Sequence, residues 1–169
     1  GNEYHQTYKR GIPQYPLNIV GKSELTGTKI TFWPDPQIFE SLVFSYDHLK
    51  IRLRELAYLN KGIEIILADR RKGMEKQSVF RYDGGIKQFV EDLNKNKETL
   101  FPEPFYFEQT YGDTIIEAAL QYNESYTETI YSFANNINTE EGGAHLESFK
   151  NALNKIINDY GRQFNLLKE

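Results

Sequence analysis

The chain has 169 residues, 39% of them hydrophobic and 14% aromatic, with a formal net charge of −4 and no Cys. That length suits one ordinary domain or two smaller pieces, and the aromatic content points to a packed body, since disordered chains are poor in such residues. The mild acidity leaves no overall basic footprint for nucleic acid, the absence of Cys excludes disulfides, thiolate metal sites and a cysteine nucleophile, and no stretch approaches the roughly 20 apolar residues of a membrane span.

In chain order, residues 3–8 alternate in character and predict a strand, stopped at "RGIPQYP", where two prolines and a glycine interrupt any ladder. Residues 17–20 form a short apolar run, and a strand is expected over 29–33, between the glycine-bounded loop and Pro34 and Pro36. Ser45 is a candidate N-cap for a helix carrying Leu49, Leu53, Leu56 and Leu59 at helical spacing, with Gly62 just past its end. Residues 63–67 and 79–82 are strand candidates around the charged turn "DRRKGMEK". A second helix is expected after Gly84 and Gly85, with Ile86, Phe89, Val90 and Leu93 on one face. "NKNKETLFPEP" reads as a linker.

Beyond it, residues 105–108, 114–122 and 127–133 read as strands, the last two joined into a hairpin by "NESY". A final helix carries Leu146, Phe149, Leu153, Ile156, Ile157 and Tyr160 as one apolar stripe. Strands and helices mix without regular alternation, so the expected class is α+β, with mixed sheets and helices. The opening, which lacks Met and has strand-like polarity, is read as the interior of a larger polypeptide.

The chemistry visible in the residues alone is sparse. His5, His48 and His145 are scattered, so no metal site is expected. There is neither a phosphate-binding P-loop nor a dinucleotide fingerprint, and no acid and base pair can be named among the many carboxylates. Asn123 spells a glycosylation sequon without any sign of secretion. In "NNINTEEGGAHLESFK", Gly142 and Gly143 allow a sharp turn into the last helix, and Asn135, Asn136 and Asn138 suit bonding to backbone within that turn.

Residue identity goes further. "TGTKITFWPD", "RLRELAYLNKG", "YDGGIKQFVEDLNKNK" and "EAALQYNESYTETIYSFANNINTEEGGAHLESFKNALNKIINDY" together resemble the DNA gyrase B family, in order and spacing, over essentially the whole chain. The resemblance implies that residues 1–83 are the rear half of an ATP-binding domain of the gyrase, chaperone and histidine-kinase type. It implies that residues 84–169 are the front of a ribosomal-protein-like transducer domain. ATP-driven pairing with a second copy of gyrase B would then close a gate around DNA, with the A-subunit of gyrase as a further partner, in the cytoplasm and without a membrane. ATP and Mg2+ are the cofactors implied for the intact protein. The family's catalytic Glu, magnesium-binding Asn, Asp-x-Gly-x-Gly adenine site and Gly-rich lid would precede Gly1, and its Gln-Thr-Lys loop would follow Glu169. No catalytic residue and no bound cofactor is therefore expected in this chain by itself.

Two residues carry over. Thr28, in "TGT", matches the Thr whose hydroxyl helps hold the adenine; by itself it would read as a strand-start Thr after a Gly turn. Lys150 falls where the family usually places an Arg facing the DNA cavity, keeping the charge without the bidentate fork. Without the resemblance it is a solvated Lys on a surface helix. Ala144 stands where Thr is usual and Ser148 where Gly is usual, and the missing Thr removes a possible helix cap. Two alternatives stay open: the B-subunit of topoisomerase IV, against which "TFWPDPQIF" and "LFPEPFYF" lean, and a non-catalytic interaction module of the same ancestry. Exposed edges and apolar patches in such a piece would favour self-association. Incubated alone with ATP and Mg2+, the chain is expected to release no phosphate above background; robust turnover that Thr28→Ala abolishes would overturn this.

Overall fold

Proline and glycine divide the first 22 residues into short paired strands. The computed structural model describes residues 1–167 and divides into two compact units, Gly1–Tyr46 and Asp47–Glu169. In the first unit, β1 (Asn2–His5) pairs antiparallel with β4 (Asn18–Lys22), and between them β2 (Tyr8–Lys9) pairs with β3 (Ile12–Pro13). The inner turn has Arg10 and Gly11 at φ 49° and 79°, the positive pair that matches the twist of a tight hairpin. The strand expected over 3–8 is therefore split, with Gln6 and Thr7 at the break; Gln14 N–H still donates to the Thr7 carbonyl at 2.9 Å.

No strand forms over residues 29–33. The segment has strand-like composition, but a strand exists only by pairing, and no described strand lies beside it as a ladder partner. Just beyond it, the Asp35 carbonyl accepts Ile38 and Phe39 N–H at 2.9 Å, and Arg10 Nε reaches Asp35 Oδ2 at 2.5 Å. The hydrogen bond from Arg10, helped by the Gln37 N–H, holds the Asp35 carboxyl below the usual range.

At the start of the second unit lies α1 (Tyr46–Leu59), which begins directly after Ser45. It is followed by β5 (Ile65–Asp69) and β6 (Lys76–Phe80), an antiparallel hairpin, and by α2 (Gly85–Asn94). Residues 83 and 84 thus lie inside this unit. Its core is centred on Tyr58, 1% exposed, whose ring stacks on Tyr82 at 3.6 Å and on Phe89 at 4.7 Å between centroids. The Tyr58 hydroxyl donates to the Asp92 carboxylate, so the buried phenol keeps a partner. Ala57 and Phe80 are also buried.

The stretch expected to be a linker is docked instead. Leu100 N–H donates to Tyr122 O at 3.0 Å and Glu124 N–H to Glu98 O at 3.1 Å. Asn94, itself buried, joins Gln121 and Asn123 through side-chain amide bonds of 2.9 and 2.8 Å. Polar residues that look like linker composition are here satisfied by one another.

The pairing of the next strands also differs from expectation. β7 (Phe105–Tyr111) and β8 (Thr114–Leu120) form the hairpin, turning at Gly112, φ 58°, and Asp113. A two-residue turn with a left-handed glycine is the shorter closure, and it outcompetes "NESY". Of residues 127–133 only Phe133 enters a strand: β9 (Phe133–Ala134) pairs with β10 (Ile137–Asn138). The last helix, α3 (Ala144–Gln163), ends where Asn165 takes φ 55° and Leu166 N–H returns to Gly161 O at 2.7 Å.

Tyr58 is the largest fully buried side chain among the described residues. In urea, Tyr58→Phe is expected to lower the stability of the second unit by about 1–2 kcal/mol and Tyr58→Ala by about 3–5 kcal/mol, read by circular dichroism. Tyr8→Phe, at an exposed residue of the first unit, serves as the neutral control; equal effects from all three would remove Tyr58 from the centre of the core.

Candidate functional site

Thr28 lies in the irregular run that follows β4. It is exposed, and its hydroxyl engages none of the described residues. Gly27 precedes it with open space where a side chain would stand. Upstream, Ser23 Oγ accepts Leu25 N–H at 3.1 Å and fixes the exit from β4. Downstream, Phe32 meets Phe44 edge-on at 5.9 Å, while Phe32 and Trp33 stay 67% and 83% exposed. A free hydroxyl beside an uncovered glycine leaves the backbone open to close approach by a ligand.

Lys150 belongs to the second unit, on α3, and the turn that leads into that helix is built with care. Asn135 and Asn136 take φ 48° and 64°, a left-handed pair that Asn tolerates, and close β9 onto β10. The Asn136 carbonyl accepts Arg52 Nη2 at 2.5 Å, and its amide donates to Asn60 Oδ1 at 3.2 Å, so the turn rests on α1. Thr139 is the knot of the loop. Its N–H donates to Ser132 O at 2.8 Å, and its hydroxyl lies 2.6 Å from Ser132 Oγ and 3.3 Å from His145 Nε2.

Gly142 at φ 79° and Gly143 at φ 150° then turn the chain into α3, with Gly143 at the cap position and no side-chain cap. Ala144 is the first helical residue, so the loop does not depend on a hydroxyl there: Thr139, Ser132 and His145 supply the bonding. Glu147 in the first turn complements the helix dipole. Lys150 is 37% exposed, and its ammonium lies 3.8 Å from Glu128 Oε1, itself 71% exposed. A pair this long and this solvated holds the cation weakly.

A third cluster joins α1 to the β7–β8 hairpin. Lys61 Nζ donates to the Tyr106 hydroxyl at 2.6 Å and lies 2.8 Å from Glu117 Oε1 and 3.7 Å from Glu108 Oε2. The Tyr106 oxygen is itself 2.8 and 2.9 Å from those carboxylates. The hydrogen bond with Glu117, followed by that with Tyr106, raises the Lys61 ammonium above its ordinary value, and burial raises the Tyr106 phenol. No spacing rule could have pointed to Lys61, because its partners lie on a hairpin far along the chain.

An open cleft of about 520 Å³ lies at the β5–β6 turn, lined by Asp69, Arg71, Gly73, Met74, Glu75 and Lys76. Arg71 forks onto Asp69, and those hydrogen bonds pull the Asp69 carboxyl down to about 2. The lining is mostly charged, unlike the apolar wall of a small-molecule pocket. Among the described residues no three His, Cys, Asp or Glu side chains converge as a metal site.

Comparison with known proteins gives the context. The family model for DNA gyrase B matches residues 85–169. The DNA gyrase B-subunit of Clostridium acetobutylicum is 52% identical and that of Halalkalibacterium halodurans 50% identical, over all of this chain and 26% of each relative. The chain thus spans about a quarter of the length of those curated relatives. The crystal structure of the 43K ATPase domain of Thermus thermophilus gyrase B, in complex with an aminocoumarin, matches with a TM-score of 0.81 at 35% identity, covering 100% of this chain and 46% of that one. The B-subunit of the DNA gyrase from Myxococcus xanthus matches with a TM-score of 0.75 at 29% identity, covering 90% and 45%.

The loop before α3 yields a direct test. Thr139→Val removes one hydroxyl from a three-membered network and is expected to speed amide exchange over residues 132–145 by roughly fivefold to tenfold, equivalent to about 1 kcal/mol. Exchange in the first unit stays unchanged. Unaltered exchange at the loop would show that Thr139 is not its knot.

Proposed function

The chain belongs to the DNA gyrase B family, and on that premise we propose that it is part of the ATPase subunit of a DNA gyrase. The observation that carries the reading is the match of the whole chain to the Thermus thermophilus ATPase domain. In this reading residues 1–83 are the rear of the ATP-binding domain and residues 84–169 the front of the transducer. The family match beginning at residue 85 supports that border. ATP binding pairs two gyrase B chains in the cytoplasm, and hydrolysis resets the gate as gyrase A and gyrase B together pass one duplex through another and introduce negative supercoils. The relatives named above are gyrase subunits, which favours this over topoisomerase IV, and the likeness to an ATPase domain favours it over a non-catalytic module.

The residues of this chain fit a limited part of that task. Thr28 offers an unengaged hydroxyl beside an open backbone, which suits a contact to the adenine of ATP. Among the described residues no three His, Cys, Asp or Glu side chains converge as a Mg2+ site, and no part of phosphate cleavage is assigned to them. ATP supplies the binding energy that drives pairing. Lys150, held only by a long pair with Glu128, can turn its ammonium to a DNA phosphate in the cavity.

In intact gyrase B, Thr28→Ala is expected to weaken ATP binding about threefold to tenfold, as one neutral hydrogen bond of about 1 kcal/mol predicts, and Thr28→Ser to retain most of the affinity. Unchanged affinity in the Ala variant would remove Thr28 from the site. With gyrase A, ATP and relaxed plasmid, the intact enzyme is expected to make negative supercoils, whereas relaxation alone would shift the reading to topoisomerase IV.

A further inference from the structure

We infer that Lys61 is a positioning residue that locks the end of α1 to the start of α2 and to the β7–β8 hairpin, so that motion on the nucleotide side of the protein passes without slack to the transducer side. The inference rests on the gyrase reading, because that reading makes residues 83 and 84 the border between the two sides.

Covalently, the border is crossed by the short run from β6 to α2. The Tyr58 contacts with Phe89 and Asp92 and the bonds of Arg52 and Asn60 to Asn136 already tie α1 across it. None of these reaches the β7–β8 hairpin, and Lys61 supplies that attachment together with one to the start of α2. Its aliphatic stem lies against Gly85, the first residue of α2, at φ 60°: a β-carbon there would collide with Lys61 Cε. Only glycine lets the stem pack so closely. Its ammonium reaches over the Tyr106 ring, 4.7 Å from the centroid, to the phenol oxygen and two carboxylates.

The register of the hairpin adds an independent argument. Glu108 and Glu117 are direct cross-strand partners in β7 and β8. Like charges placed opposite one another destabilise a strand pair. Here the ammonium of Lys61 stands by both, with the Tyr106 hydroxyl between. The hairpin is thus at ease only while the end of α1 is docked on it. Moving α1 away exposes two facing carboxylates, so the position of α1 and the order of the hairpin are coupled through one cation.

The test uses intact gyrase B with gyrase A, relaxed plasmid and ATP, measuring phosphate release and linking-number change in the same sample. Lys61→Met keeps the apolar stem and deletes the charge. It is expected to leave kcat and KM for ATP within about twofold while supercoils introduced per ATP fall about fivefold or more, the lower range of coupling between sites. Lys61→Arg, which restores a cation, is expected to recover most of the ratio. A ratio within about twofold of wild type in Lys61→Met overturns the inference, as does an Arg variant no better than Met, or a loss in which ATP turnover and melting temperature fall together. A wild-type enzyme that hydrolyses ATP without supercoiling fails before any variant is compared; that result removes the gyrase reading and takes the inference with it.

Discussion

The second unit depends on one buried phenol. Tyr58 is nearly inaccessible, and three elements reach it: α1 carries it, the run after β6 brings Tyr82 against one side, and α2 brings Phe89 and Asp92. Removing an aromatic ring of this size from water is favourable by about 5 kcal/mol. The hydroxyl would cancel much of that if left unbonded, and the Asp92 carboxylate prevents it. Burial first, and then Asp92, push the Tyr58 phenol above its ordinary value, so it remains a donor throughout the neutral range. Arg54 Nη2, 3.3 Å from the same oxygen, keeps a cation beside the carboxylate's partner.

With α1 fixed in this way, its polar side chains become instruments. Arg52 and Asn60 hold the Asn136 turn, which sets where β10 ends and where the glycines tip the chain into α3. Lys61, just past the helix, holds α2 and the β7–β8 hairpin. The path from sequence to function in this unit therefore runs through a single helix: its apolar face makes the core, and its polar end positions the elements to which coupling is assigned. The first unit has no comparable centre. There, turns and hydrogen bonds such as Arg10 with Asp35 and Gln37 shape the chain, and the apolar side chains stay outside.

The helices were legible in the sequence because their periodicity is local. The leucines of α1, the Ile86, Phe89, Val90 and Leu93 face of α2 and the long stripe of α3 each report on one segment alone. Strand partners were not legible for the opposite reason. Residues 29–33 have the right composition and no ladder, and the choice between pairing 114–120 with the strand before it or the segment after it turned on Gly112 and Asp113, a two-residue turn easily read as part of a longer strand. The same division holds for the site. Thr28 and Lys150 came from resemblance to a family, not from physics visible in their neighbours. His145 is isolated in the sequence, yet it lies beside Thr139 in space; Lys61 carries no local signal, since its partners are brought to it only by the fold.

Apolar exposure is distributed unevenly along the chain. In the first unit the apolar side chains near Thr28 in sequence are uncovered: Leu25, Ile30, Phe32 and Trp33 are all at least two-thirds exposed. Large exposed apolar side chains of this kind suit contact with other protein. In the proposed reading, the position of the Thr28 hydroxyl relative to a bound adenine would be set partly by protein packed on Phe32 and Trp33. The Lys61 cluster stands differently. Its ammonium, phenol and both carboxylates come from this chain and are already within contact of one another. The geometry proposed for coupling is therefore written into this segment, whereas the geometry proposed for nucleotide contact is shared with the protein surface that covers it.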